Sequence, residues 1–455
     1  MHFIGARFTR LLTTIGFVAS VALAGPAAAA RLSFIRDAEV ESIIHGYAAP
    51  LFTAAGLDPA AVHLYLVNDR RLNAFVAGGM NLFINTGLLV AAQSANQVIG
   101  VIAHETGHIH EGHLARTPDE LRGASVASIL ATILAAAAAV AGGGAGAAAI
   151  IAGGRGLAVQ TYLSHSRGQE EAADQYAAVV LDLTHQSSRG LMEFLQTLAR
   201  RDPLAAANQS PYLRTHPLTV NRISFLEHHV ATSPYSDLKE PPEVIRTFAR
   251  MQAKLHGFLD EPRDVFRLYP ADDTSVAARY ARCIAHFRRA ELAPALAGID
   301  SLIAEAPDDP YFHELKGQFL FENGRIAKAV VSYRRASELL PDEPLIQIGL
   351  AQALVETGDT SVLDEAGKHL DAALRREPDN ARAWRLLAVV HGRKGEFGLS
   401  ALASAEFSLA VGRFDDAISF AKQAQDRLPF GAPGRLRAED IEQAAKRAAH
   451  RGDEG

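Results

Sequence analysis

Hydrophobic and polar positions divide this chain into stretches of different period. Val98, Ile99, Val101 and Ile102 recur with helical spacing behind Ser94, a residue type whose hydroxyl caps helix N-termini. This predicts a helix buried on most sides. Residues 62–67 and 75–85 are rich in β-branched and aromatic side chains and are broken by Gly78-Gly79, which predicts strands around a tight turn. We expect a small antiparallel sheet packed on the helix, with one edge open to strand addition by an extended peptide. Residues 166–178 are good helix formers with no breaker after Gly168, and predict a second helix. Between the two helices, residues 123–154 carry no charge, and an apolar stretch over 124–141 runs into glycines at 142–144 and 146. It is short of the ~20 apolar residues that span a bilayer, and its alanines drive insertion weakly. A lid, a membrane-contacting element and a buried helical hairpin all remain open for it.

Ser233-Pro234-Tyr235-Ser236 and Pro241-Pro242 interrupt the helical pattern, and beyond them the chain repeats itself. Pro307, Pro341 and Pro378, each followed by Asp, recur at spacings of 34 and 37. Thirty-four is the tetratricopeptide period. Gly317, Gly324, Ala329, Tyr333, Ala336 and Pro341 fall where that repeat wants small, turn, small, aromatic, small and proline residues. Ala366, Ala373 and Pro378 echo them after a three-residue insertion around Thr360, and Gly412, Ala417, Ala424 and Pro429 echo them again. About four helix pairs are expected to stack into a solenoid with a concave, protein-binding face. A capping helix is expected near Asp440–Ala449, within a C-terminal helix and loose tail over 436–455.

The first 30 residues read as a secretory signal: Arg7 and Arg10, an apolar run over 11–24, and Ala28-Ala29-Ala30 for cleavage. An uncleaved anchor is the alternative. The domains expected are therefore the signal at 1–30, a catalytic domain over 31–240 and a repeat domain over 250–435. With 455 residues there is ample core for this. A net charge of -6 gives no electrostatic case for nucleic acid. Cys283 is the single cysteine, so no intramolecular disulfide and no Cys-ligated metal site is possible. Such a chain suits a bacterial periplasm.

The chemistry concentrates at His104-Glu105-Thr106-Gly107-His108. On a helix, residues four apart share a face, so both imidazoles can reach one metal ion while Glu105 sits near its water. This is the H-E-x-x-H arrangement of zinc hydrolases. A catalytic zinc takes three protein ligands and keeps one position open. His110 and His113 lie off the face of His104 and His108 and read as solvated or supporting residues. The third ligand is better sought in the second helix. Glu170 and Asp174 are four apart there, so one can bind metal while the other orients a ligating His. Spacing alone does not choose between Glu170 and Glu171.

H-E-x-x-H followed by S-R-x-x-E-x-x-A-D, here Ser166 to Asp174, resembles the gluzincin zinc metallopeptidases of the HtpX and BepA type. Asn73-Ala74-Phe75 with Gly78-Gly79, Asn85-Thr86-Gly87-Leu88-Leu89, and Thr215-His216-Pro217-Leu218 with Arg222-Ile223 resemble further marks of that family, over roughly residues 35–229. The resemblance implies one Zn2+ held by His104, His108 and Glu170, with Glu105 as the base. It places His216 at the cleft, as oxyanion stabiliser or as a resting-state ligand; a turn-capping histidine is the plain alternative. Arg222 is expected to pair with Glu170 or Asp174. The implied fold is mostly α: an α+β zincin-type domain with a small sheet, then an α-solenoid of tetratricopeptide repeats. The implied activity is periplasmic endopeptidase action on unfolded or misassembled envelope proteins, with the outer-membrane barrel-assembly machinery as partner. A latent enzyme, or a chaperone or scaffold, is the competing expectation.

Overall fold

The computed structural model describes residues 34–113, 167–201 and 211–453. The expected signal segment, the uncharged stretch 123–154 and Ser166 lie outside the described residues. No helix among the described residues is long and apolar enough to cross a membrane.

The N-terminal half is a small sheet covered by helices. Asp37 caps α1 (Ala38–Ala54), its side chain accepting from the Val40 amide at 2.9 Å. Four strands follow the order β1-β2-β4-β3, with β1 Phe34–Ile35, β2 His63–Val67, β3 Ala74–Ala77 and β4 Asn81–Asn85. Gly78 and Gly79 both hold positive φ, 61° and 95°, which closes the β3–β4 hairpin. The sheet is mixed, not antiparallel throughout as the sequence led us to expect. β2 lies parallel to β4, with His63 opposite Asn81 and Val67 opposite Asn85. The hairpin places β3 on the outside, so the crossover from β2 brings β4 alongside it in the same direction. Stacked rings of Tyr65, Phe83 and Phe75, 5.0 and 4.9 Å apart, bind the three strands on one face.

α2 (Thr86–Ala91) leads into α3 (Ala95–His110). Ser94 caps α3 as predicted, its hydroxyl accepting from Gln97 N at 3.3 Å. Val98, Val101 and Ile102 are fully buried in the core between the sheet and α4 (Arg167–Leu183) and α5 (Arg189–Arg201). Burying each such side chain contributes about 1.5–3 kcal/mol. α6 (Pro211–Thr215) and α7 (Val220–Thr232) close this half.

The break at residues 233–241 opens on α8 (Pro242–Leu259), which begins on a proline, the residue that suits a first helical turn. α8 serves both halves: Phe248, Met251 and Leu255 enter the core around α3, while Ala253 packs with Val265, Ala281 and Ala285. After α9 (Pro262–Leu268) come antiparallel pairs: α10 (Val276–Arg288) with α11 (Leu292–Glu305), α12 (Pro310–Glu322) with α13 (Ile326–Leu339), α14 (Pro344–Glu356) with α15 (Leu363–Arg376), and α16 (Ala381–Arg393) with α17 (Phe397–Ala410). The predicted pair Gly317 and Tyr333 is a packing pair, and Gly349, which the sequence reading did not single out, leaves room for the same ring; a Cβ on either glycine would meet it at 2.9 Å. The insertion at Thr360 is one 3-10 turn, Thr360–Val362. α18 (Phe414–Arg427) and α19 (Pro433–Asp453) end the array. α19 begins earlier than the sequence suggested, and Ala438, Ile441 and Ala445 are buried along it.

The array returns to the N-terminal half through charge. Lys254, 1 % exposed on α8, lies 2.8 Å from Asp37, 3.2 Å from Glu39 and 3.7 Å from Glu314. Arg250 bridges Glu39 and Asp309, and the Tyr280 hydroxyl donates to Glu39 at 2.7 Å. Beside this cluster a cavity of roughly 500 Å³ separates Ile35 and Arg36 from Phe321, Tyr333 and Arg382.

Candidate metal centre

α3 presents His104, Glu105 and His108 to a point where α4 and the segment after α6 converge. His104, Glu105, His108, Glu170, Asp174 and His216 are all fully buried. Helix approach makes this possible. At Gly107 the two backbones are so close that a Cβ would stand 2.9 Å from the Ala173 carbonyl oxygen. Ala173, Asp174, Ala177 and Leu181 form the face that α4 turns inward, and Glu170 extends it to the site. Glu171, on the neighbouring face, is only partly buried and takes no place in the cluster.

The donor atoms converge tightly. His104 Nε2 lies 3.1 Å from His108 Nε2 and 3.3 Å from Glu170 Oε2, and His108 Nε2 lies 3.3 Å from Glu170 Oε1. His216 Nδ1 adds a fourth corner, 3.4 Å from His104 Nε2 and 3.1 Å from Glu170 Oε1. The four residues can each offer one donor atom within 4.8 Å of the others. Ligands bound at about 2.0–2.1 Å to a tetrahedral ion stand ~3.3–3.4 Å apart, so the spacing fits such an ion. Charge gives the same answer. Three buried carboxylates, Glu105, Glu170 and Asp174, face the single buried guanidinium of Arg222, an excess of negative charge that suits a divalent cation.

Supporting contacts hold the donors in place. Asp174 Oδ1 takes the Nδ1 side of His104 at 2.8 Å. Arg222 donates from Nε and Nη2 to Asp174 at 2.6 and 2.9 Å, and its Nη1 lies 2.6 Å from Glu170 Oε2. Arg222 therefore pairs with both acids between which the sequence left a choice. Burial disfavours a His104 cation, but the carboxylates of Asp174 and Glu170 outweigh it and lift its pKa to about 9. Burial also opposes ionisation of Glu170, yet the imidazoles around it hold its pKa well below the carboxylate range. Asp174 is likewise lowered: burial works against the charge and Arg222 overcomes it. Glu105 moves the other way, raised chiefly by burial against the pull of His216 and His104. Among the described residues none donates a hydrogen bond to either of its oxygens, which leaves it a basic carboxylate with capacity for a water proton.

Two contributors escaped the sequence reading. Tyr212 stacks on His216 with ring centroids 4.5 Å apart and fixes its plane. Its signal was present, since it stands one helical turn before His216. Gly107 was read only as a variable position inside the motif. His110 stacks on Tyr176 at 4.1 Å, away from the cluster, and His113 approaches His108 from behind.

Comparison with known proteins agrees with this geometry. Peptidase family M48 matches residues 35–230, which include every residue of the cluster. The TPR domain described for cytochrome c-type biogenesis protein H matches residues 284–409. The chain thus carries an M48 peptidase domain followed by a tetratricopeptide domain. A beta-barrel assembly-enhancing protease of Yersinia pestis is 26% identical over 391 residues, covering 81% of this chain and 76% of the relative. The protein of the same name in Escherichia coli (strain K12) is 24% identical over 412 residues, covering 88% of this chain and 81% of its own length. The peptidase thus shares both halves, in the same order, with these relatives.

Proposed function

We propose that this metallopeptidase is an exported, zinc-dependent endopeptidase that acts in the periplasm on misfolded or misassembled envelope proteins. The observation that carries the zinc assignment is the buried convergence of His104, His108 and Glu170 with Glu105 beside them. Held by His104, His108 and Glu170, zinc would supply the acidity that activates a water and the polarisation of the peptide carbonyl. Glu105 takes the proton of that water as its oxygen adds to the carbonyl carbon, then delivers it to the leaving amine as the C–N bond breaks. Asp174 keeps the His104 ring turned with Nε2 toward the cluster, and Arg222 steadies Asp174 and Glu170. β3 is an outer strand of the sheet, and an extended peptide can add along it beside the site.

The charged and apolar N-terminal segment supports export. The name the relatives share, beta-barrel assembly-enhancing protease, supports a role in beta-barrel assembly; we propose outer-membrane barrel proteins as clients and their assembly machinery as the partner held by the solenoid. One observation favours a second reading, in which the peptidase rests in a latent form. His216 occupies the fourth corner, 3.1 Å from Glu170 and 3.4 Å from Glu105, in a fully buried site. In that state His216 fills the position a substrate needs; once displaced, its N–H can stabilise the oxyanion.

Cleavage of an unfolded protein by the mature chain and by Glu105→Gln, with zinc quantified in both, tests these readings. One zinc in each and cleavage by wild type alone supports the endopeptidase. Zinc in each and cleavage by neither favours latency, and His216→Ala should then release activity. No zinc in either rejects the metal assignment.

A further inference from the structure

His108 faces the cluster with Nε2, so its Nδ1 points away from it. There it meets the ring of His113, with Nδ1 to Nδ1 at 2.9 Å and centroids 5.1 Å apart. The end of α3 delivers this contact. Gly112 adopts φ +63°, the left-handed conformation that ends helices, and His113 N donates to His108 O while Gly112 N donates to Ile109 O, both at 3.2 Å. These two bonds define a turn that brings the second residue past the helix back against the residue one turn inside it. In most helices that contact is apolar. Here both positions are histidine.

We propose that His113 is a positioning residue for the metal, holding His108 in the tautomer that presents Nε2 to the ion. This rests on the zinc reading above. An imidazole that binds through Nε2 carries its proton on Nδ1, so His113 Nδ1 is the acceptor. His113 then does for His108 what Asp174 does for His104, and each ligating ring is held from behind. Because the acceptor is a neutral ring, it adds no further negative charge to a site already rich in carboxylates. The G-H pair at 112–113 is its sequence signature, five residues beyond His108.

The test is zinc affinity of the full chain, measured by competition with a chelator, for wild type, His113→Ala, His113→Asn and His110→Ala. Loss of a supporting partner typically weakens metal binding about 10–100-fold, and that is the expected loss in His113→Ala. Asn can place an amide oxygen where Nδ1 stood, so His113→Asn should regain most of the affinity. His110→Ala should match wild type. Wild-type affinity in His113→Ala would overturn the proposal, as would an Asn variant no better than Ala. A metal-free His113→Asn that melts as low as His113→Ala would also overturn it, by making the residue structural only. Failure of the zinc reading looks different, because wild type itself would then hold no zinc.

Discussion

Replacing Gly107 by alanine adds one methyl group where α3 and α4 touch backbone to backbone. That methyl would stand 2.9 Å from Ala173 O and 3.0 Å from Ala173 Cα. Favourable contact lies near 3.5–4.0 Å, so the helices must part by ~0.5 Å or more. Backbone cannot swing aside as a flexible side chain does. One of these helices carries His104 and His108 and the other carries Glu170, so the shift opens the ligand set directly. Metal distances tolerate only about ±0.2 Å. Overpacking costs ~1–3 kcal/mol, partly offset by up to ~1 kcal/mol from the better helix propensity of alanine. The expected variant is folded and only modestly less stable, yet binds zinc weakly and cleaves about 10²-fold more slowly, as misplacement of this order costs. Gly100→Ala is the control. Its Cβ would meet Leu191 N at 2.7 Å on α5, so it strains the same helix without pushing on α4. Chelator competition, peptide cleavage and urea unfolding on both variants separate the cases. Equal zinc affinity and equal cleavage in Gly107→Ala and wild type would refute the argument that helix spacing sets the site.

Arg222→Met leaves Asp174 and Glu170 buried without their cation; we expect a loss of about 3–5 kcal/mol in the metal-free chain by urea unfolding, and no change would remove Arg222 from the framework. Lys254→Met removes the ammonium that Asp37, Glu39 and Glu314 share at the junction of the two halves. A loss of about 3–5 kcal/mol is expected there too, and a neutral result would mean that water already reaches these carboxylates. Burial pushes Glu314 up to about 7, against the pull of Lys254. A folded-state pKa raised above the unfolded value makes the folded form the better proton binder, so stability is full below the ordinary glutamate value of 4.5 and falls as pH rises through about 7. Unfolding free energy should decline over that window in wild type and flatten in Glu314→Gln; parallel curves would exclude Glu314 as the cause.

What could be read from the sequence was whatever a few consecutive turns encode. Ser94 and the apolar residues after it specify α3, and the histidine pair rides on its period. The glycines at 78–79 specify a hairpin. The parallel β2–β4 pairing was not legible, because nothing local states which strand lies beside the hairpin. Glu170 and Glu171 are equivalent in composition and nearly so in position; the inward face completed by Ala173, Ala177 and Leu181 decides between them, and only packing on α3 gives that face meaning. Gly107 and Tyr212 are required by distances between elements far apart in the chain. The charged junction was illegible for a related reason. Lys254, Arg250 and Glu39 are residue types that belong on surfaces, and only the return of the array onto α1 buries them.

That junction bears on how a latent site could open. α8 places Phe248, Met251 and Leu255 in the core that holds α3, and Gln252 donates to the carbonyls of Leu89, Val90 and Ala92 at 3.0, 3.2 and 2.8 Å, just before α3 begins. Separating the solenoid from the catalytic half would expose both an apolar face and unpaired buried charges. These contacts hold the metal helix firmly against α8 and the repeats that follow it. Within the site, His104, Glu170 and Asp174 are cross-linked through Arg222 and share that rigidity. His216 follows the five-residue α6, stacks on the buried Tyr212 ring and makes polar contacts to His104 and Glu170. In the latent reading, freeing the fourth position means breaking the contacts of His216 with Tyr212, His104 and Glu170. Under the proposed function, opening would have to act at those contacts rather than pry the two halves apart.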